Sequence, residues 1–246
     1  MRAPGCPGPG GLSSRRPGPG LALVTGASSG IGLSIATLLG EAGWAVHGLS
    51  RRSGAGPFTP HRCDVTDTAQ VAATVAQIAG RAEIDAVVLA AGINLRQRHL
   101  DRLQPDGWEE VLHTNLSGAF NVFQAVLPHL RDSQGSAIFI ASVSALWPDR
   151  SGPAYQASKA GVLALARAAA LEEHRQGVRA SCLLPGVVDA PLLEKRPEPP
   201  DRDLVRAALR PEDVARVCLF LLQLPKHAYI PELTLLPTAL QAPGAT

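Results

Sequence analysis

The stretch Leu21-Ala22-Leu23-Val24-Thr25-Gly26-Ala27-Ser28-Ser29-Gly30-Ile31-Gly32 decides how this chain folds. Its first five residues form a short apolar run of the kind that fills a buried strand, and the glycine-rich turn after it leads into Ile31 to Ala42, whose apolar residues recur at helical spacing. Glycines let a backbone approach a ligand closely, and a helix start offers unpaired N–H groups and a partial positive charge. A turn so placed suits a pyrophosphate. Its spacing is GxxxGxG, a longer variant of the GxGxxG dinucleotide loop, and the same turn on its own also serves as a plain tight connection.

Working outward, strand-like runs alternate with helical segments. Strands are expected at Leu21 to Thr25, Ala45 to Leu49, Ala86 to Ala90, Ala137 to Ala141, Val178 to Leu184 and Leu233 to Leu236. Helices are expected at Ile31 to Ala42, Asp67 to Ala79, Trp108 to Leu130 and Pro153 to Gln176. Such alternation predicts an α/β protein: a single-domain Rossmann fold with a doubly wound parallel β-sheet flanked by helices. Residues 1–20, rich in proline and glycine, read as a disordered tail, and residues 21–246 as the domain. A proline- and charge-rich shift at 191–203 marks a mobile substrate loop over about 187–210.

The 246 residues are 46% hydrophobic, enough for a sizeable core, and a net charge of +2 argues against nucleic acid. The four cysteines lie far apart and the seven histidines form no ligand motif, so neither metal nor disulfides are expected. No apolar run reaches membrane-spanning length, which predicts a cytoplasmic protein with no membrane partner.

The end of the second strand selects the adenosine ribose. An acidic residue there binds a free 2′-hydroxyl and repels a 2′-phosphate. This chain has Ser50, Arg51 and Arg52 instead, and a guanidinium forms charge-assisted bonds to a phosphate. NADP(H) is the expected cofactor.

Farther along stand Ser142 and the run Tyr155-Gln156-Ala157-Ser158-Lys159. Residues four apart share a helix face, so Tyr155 and Lys159 can point into one cleft. A free phenol titrates near ~10, and a neighbouring ammonium is expected to lower that value and make Tyr155 a usable acid or base. Ser142, at a strand's C-terminal end, can donate to a substrate oxygen. YxxxK alone is common on amphipathic helices, where tyrosine is core and lysine solvated.

Together these residues resemble the classical short-chain dehydrogenase/reductase family, over nearly the whole chain after the tail. The matching features are TGASSGIG (25–32), Asp64 with Val65, Ala90-Ala91-Gly92, Asn115 in TNLSGAF, Ser142, Tyr155 with Lys159, and Pro185-Gly186. The resemblance implies an NADP(H)-dependent oxidoreductase that interconverts a carbonyl and a secondary alcohol. Asn115, Ser142, Tyr155 and Lys159 would be catalytic, with Asn115 holding a water near Lys159. Gly26, Ser28, Ser29, Gly30, Ile31 and Gly32 would meet the cofactor. So would Ser50, Arg51, Arg52, Asp64, Val65, Ala90, Ala91, Gly92, Tyr155, Lys159, Pro185, Gly186 and Val188. The C-terminal part looks like the 3-hydroxy acid and serine dehydrogenase branch.

Several positions depart from the family pattern. The usual NAG reads Ala90-Ala91-Gly92. Asp189 stands where many relatives have a threonine for the nicotinamide carboxamide, a contact a carboxylate can still make. Between Arg52 and Cys63 a helix of many relatives is expected to be missing.

The substrate, a ketone or alcohol, is expected to meet Asn94, Arg96, Trp147 and Tyr155. Asn94, Arg96, Arg98, Lys195 and Arg196 suggest a small polar or anionic molecule. Relatives form tetramers through their two long helices, so a homo-oligomer, tetramer or dimer, is expected. Two readings compete: a non-catalytic NADP-binding regulator, and an epimerase or dehydratase of the same superfamily.

Overall fold

Alternate residues of the first strand, β1 (Leu21–Thr25), serve two different cores. Leu21 and Leu23 pack on one side of the sheet with Leu49, Val87 and Phe139. Ala22 and Val24 pack on the other with Val46, Val88 and Ile138. Both faces are apolar because both are covered by helices, as the continuous apolar strands require. In this computed structural model, residues 19–52, 54–198 and 200–239 are described.

Seven parallel strands form one sheet in the order β3-β2-β1-β4-β5-β6-β7. The others are β2 (Ala45–Ser50), β3 (Thr59–Arg62), β4 (Ile84–Leu89), β5 (Ser136–Ile140), β6 (Arg179–Pro185) and β7 (Glu232–Leu235). Helices α1 (Gly30–Glu41) and α7 (Pro211–Gln223) cover one face. On the other lie α2 (Thr68–Ala79), α4 (Gly118–Ser133) and α5 (Pro153–Glu173). The result is a single-domain, doubly wound Rossmann fold, and its strand order reverses between β1 and β4. Ligand crevices open beyond the strand C-termini at such a switch point.

All six expected strands are present within two residues at each end. The seventh, β3, went unpredicted because Thr59-Pro60-His61-Arg62 has no apolar pattern. It pairs only with β2, and an edge is where a sheet accommodates proline. No helix lies between Arg52 and Cys63 among the described residues, as expected. The helix expected over Trp108 to Leu130 is instead α3 (Pro105–Leu112), a π-helical turn (His113–Ser117) and α4, which extends past Pro128 to Ser133. At its far end α5 passes into a 3-10 turn over His174–Gln176.

The segment read as a loop over 187–210 carries a 3-10 turn at Leu193–Lys195 and α6 (Arg202–Ala207). Its two ends are tied, since Leu209 N–H donates to Val187 C=O at 2.9 Å and Asp189 N–H to Leu209 C=O at 2.8 Å. Except for Pro19 and Gly20, the tail expected over residues 1–20 lies outside the described residues, as do 240–246.

Candidate active site

Two adjoining hollows open at the strand C-termini: a cleft of about 250 Å³ and a smaller cavity of about 140 Å³. Tyr155 lines both, and Ile31, Ala141, Ala190 and Leu192 also belong to their common wall.

The turn from β1 to α1 floors the larger cleft, with Gly26, Ser28, Ser29, Gly30, Ile31 and Gly32 all on its surface. Gly26 has φ +71°, a left-handed value that favours glycine, and a Cβ on Gly32 would lie 2.5 Å from the Gly26 carbonyl oxygen. No larger residue fits this close turn. The turn is pinned sideways, because Gly26 N–H donates to Leu49 C=O at 2.8 Å. Thr25 Oγ1 accepts from the N–H groups of Ala90 at 2.9 Å and Ala91 at 3.0 Å, which fixes the end of β4 against β1.

The remaining walls are short. Ser50 ends β2 and Arg51 and Arg52 follow it; the buried Ser50 hydroxyl donates to the Arg52 carbonyl, and both arginines are exposed at the rim. Asp64 and Val65 face the same cleft; Asp64 Oδ1 accepts from Thr66 N–H at 3.0 Å and Thr66 Oγ1 at 2.8 Å, so one oxygen shapes its own turn. Ala90, Ala91 and Gly92 line the cleft beside Lys159. Lys195 also reaches this larger cleft rather than the cavity.

Asn115 sits in the π-helical turn, almost fully buried. Its Oδ1 accepts from Ile93 N–H at 2.7 Å, and its Nδ2 donates to Ile93 C=O and to Ser158 Oγ, each at 3.0 Å. Its side chain therefore braces the loop after β4 against α5.

On the first turns of α5, Lys159 is buried and its Nζ donates to Ile140 C=O at 2.8 Å. Desolvation lowers its pKa to about 8. Tyr155 lies one turn earlier, with Lys159 Nζ 5.6 Å from its ring centre. Burial pushes the phenol up to about 12; hydrogen bonding with Ser142 pulls it back, Asp149 raises it and Arg98 lowers it. The sequence led us to expect a lowered phenol. Burial is the largest influence on the phenol and outweighs both the hydrogen bond with Ser142 and the charge of Arg98.

Ser142 lines the smaller cavity and starts a hydroxyl chain: its Oγ donates to Ser144 Oγ at 3.1 Å, and Ser144 Oγ donates to Asp149. Nothing in the local sequence tied Asp149 to this site. Pro185, Gly186 and Val188 line the same cavity.

The expected substrate residues divide. Asn94 is on the cavity wall, but its Nδ2 donates to Ser151 C=O at 2.9 Å and its Oδ1 accepts from Leu95 N–H at 2.8 Å. It is a loop brace. Arg96 is exposed, and neither it nor Trp147 lines either hollow. Arg98 and Arg196 do line the cavity. Asp189 turns away to an ion pair with Arg210 at 2.9 Å, and it lines neither hollow. The nearby cation captures the carboxylate that the sequence offered to a carboxamide.

Residues 20–201 match the short chain dehydrogenase family. The chain belongs to that family. It is 33% identical to the 3-oxoacyl-[acyl-carrier-protein] reductase FabG of Thermotoga maritima over 218 residues, 81% of this chain and 88% of the relative. With the 2,3-dihydro-2,3-dihydroxybenzoate dehydrogenase of Escherichia coli it shares 39% identity over 170 residues, 68% of each chain. Among solved structures it resembles the closed form of serine dehydrogenase complexed with NADP+, with TM-score 0.83, 27% identity and 92% and 98% of the two chains covered. Members of this short-chain dehydrogenase family are oxidoreductases that use nicotinamide cofactors, and the narrow glycine turn beside a deep cleft fits such a group.

Proposed function

We propose that this protein is an NADP(H)-dependent dehydrogenase/reductase that interconverts a carbonyl and a secondary alcohol. The observation that carries this reading is the position of Tyr155 on the wall common to both hollows, with Lys159 on the cofactor side and Ser142 on the substrate side.

A bound nicotinamide cofactor supplies or accepts a hydride at the substrate carbon. The turn Gly26 to Gly32 would hold its pyrophosphate, Asp64 and Val65 the adenine, and Lys159 the nicotinamide ribose. Ala90 to Gly92 would back the ribose side, with Pro185, Gly186 and Val188 near the nicotinamide. Arg51 and Arg52 favour a 2′-phosphate, since both lie at the cleft rim and no acidic side chain follows β2 there.

In reduction, Tyr155 gives its phenolic proton to the substrate oxygen as the carbon gains hydride, so the C=O becomes a CH–OH. Oxidation reverses both transfers, and the tyrosinate takes the hydroxyl proton. On substrate binding Ser142 turns its hydroxyl proton from Ser144 Oγ to the same oxygen. Asn115 holds the loop that backs the cofactor side, and a water near Lys159 belongs to this reading. The exposed Phe120 on α4 and Leu171 on α5 favour association through those helices, as a tetramer or dimer.

The decisive experiment is a panel of ketones, oxo acids and alcohols assayed with NADPH and NADH, alongside Tyr155→Phe. The variant is expected to lose about a thousandfold in turnover while still binding NADPH. A protein that binds NADPH but turns over no carbonyl or alcohol would be a regulator on this fold.

A further inference from the structure

The smaller cavity contains a buried cation with no ion-pair partner among the described residues. Arg98 is only 6% exposed, and its buried Nε has no hydrogen-bond partner among the described residues. No carboxylate pairs with it there either. A buried charge is normally paired, because leaving it unpaired costs several kcal/mol of desolvation.

A second guanidinium worsens the balance. Arg196, just after the 3-10 turn, is half-buried on the same cavity wall, and desolvation followed by the charge of Arg196 lowers the pKa of Arg98. Asp149 is the one acidic side chain lining the cavity, and its two oxygens already accept from Ser144 Oγ and from Ser151 N–H. Asp149 offsets the two guanidiniums only in part: its charge raises the pKa of both, desolvation keeps each lowered, and no ion pair joins it to either among the described residues. Ser142 and Tyr155 open onto the same cavity.

We propose that the substrate is a small oxo acid or hydroxy acid whose carboxylate is bound by Arg98 and Arg196 while its reacting oxygen lies at Tyr155 and Ser142. A carboxylate suits a guanidinium because two parallel N–H groups meet its two oxygens. The other wall residues, Val143, Val187, Leu192 and Leu193 among them, accept a short carbon chain. This inference rests on the hydride-transfer reading. Of the five polar or basic loop residues singled out in the sequence it keeps Arg98 and Arg196, since Asn94 is a loop brace, Arg96 is outside the cavity and Lys195 faces the cofactor cleft; Arg150 also lines the cavity.

The test compares short 2-oxo and 3-oxo acids with their methyl esters, using NADPH and NADH, in the full chain and in Arg98→Met and Arg196→Ala. The full chain is expected to prefer at least one acid over its ester by about tenfold or more in kcat/KM. That ratio should fall by about tenfold in Arg98→Met, through KM, and by less in Arg196→Ala. Esters handled as well as acids throughout, or a ratio unchanged in both variants, would overturn the proposal while leaving the carbonyl reaction intact. Arg98→Met is used only with NADPH binding like that of the full chain; otherwise Arg196→Ala carries the comparison. Should no carbonyl turn over, the reaction reading fails, and titrating the NADP+-bound protein with 3-oxobutanoate and its methyl ester, followed by tryptophan fluorescence, still reads the site. Tighter binding of the acid that is lost in Arg196→Ala supports the carboxylate site, and equal or absent binding overturns it.

Discussion

Asn115 and Ile93 exchange two hydrogen bonds, the Ile93 N–H donating to Oδ1 at 2.7 Å and Nδ2 donating to the Ile93 carbonyl at 3.0 Å. The side chain does for this loop what a neighbouring strand does for a sheet edge, and a third bond to Ser158 carries the brace into the catalytic helix. The π-helical turn that holds Asn115 also interrupts the helix leading to α4. Such turns are rare and often mark functional sites.

Asn115→Ala therefore leaves both main-chain groups of Ile93 unpaired beside a buried void. We expect a loss of about 2–6 kcal/mol in urea unfolding, at about 1–3 kcal/mol for each of the two stranded groups. NADPH affinity should weaken with it, because Gly92 lies between Asn115 and Lys159 on the cleft wall.

Arg51 and Arg52 differ from Asn115 in being exposed, so replacing them should alter selectivity and not stability. Arg51→Ala and Arg52→Ala are each expected to lower the preference for NADPH over NADH by about tenfold, the scale of one charge-assisted bond. Paired kcat/KM measurements with the two cofactors check this. Unfolding midpoints should match those of the unmodified chain.

Asp149 raises the pKa of Tyr155 through its charge and terminates the hydroxyl chain from Ser142. Asp149→Asn removes that charge, so the phenol becomes easier to ionise. The alkaline rise in the rate of alcohol oxidation should then move to lower pH. Arg98 acts in the opposite direction, and Arg98→Met should move the rise to higher pH. Profiles of kcat/KM against pH for the three proteins decide both signs.

The parts of this site legible in the sequence are those written locally. Gly26 to Gly32 adjoin in the chain, and Tyr155 and Lys159 are one helical turn apart, so spacing alone brings each group together. Helix α7 also carried readable signals, Pro211 at its first turn and Asp213 accepting from the Arg210 N–H, although no boundaries were assigned to it. What escaped was set by tertiary contact. Thr59 to Arg62 is a strand only because β2 offers its edge. Asp189 was read as a cofactor contact because its partner, Arg210, lies across a strap closed by main-chain bonds. Arg98 and Arg196 are almost a hundred residues apart in the chain, and no periodicity reveals that they share a cavity.

Lys159 provides a test of the same burial that shapes Tyr155. Its pKa falls from 10.5 to about 8 on folding, mainly because the ammonium is desolvated. Between those values the unfolded chain binds a proton that the folded chain has released, so this residue makes stability rise with pH across that window. Its contribution is fully present above 10.5 and is lost as pH falls through about 8. Raised groups act oppositely: Cys182 and Tyr155, both pushed to about 12, erode stability as pH climbs. The informative quantity is therefore the difference between the unmodified chain and Lys159→Met, which removes what the two proteins share and leaves, besides the titration of Lys159 itself, only its coupling to Cys182. That difference in unfolding free energy should shift by about 3 kcal/mol in favour of the unmodified chain from pH 7.5 to 10.5, at about 1.4 kcal/mol per pKa unit. Measured by urea unfolding at constant ionic strength, a flat difference would mean that Lys159 is solvated in the folded protein, and that the phenol beside it titrates without a buried neighbour.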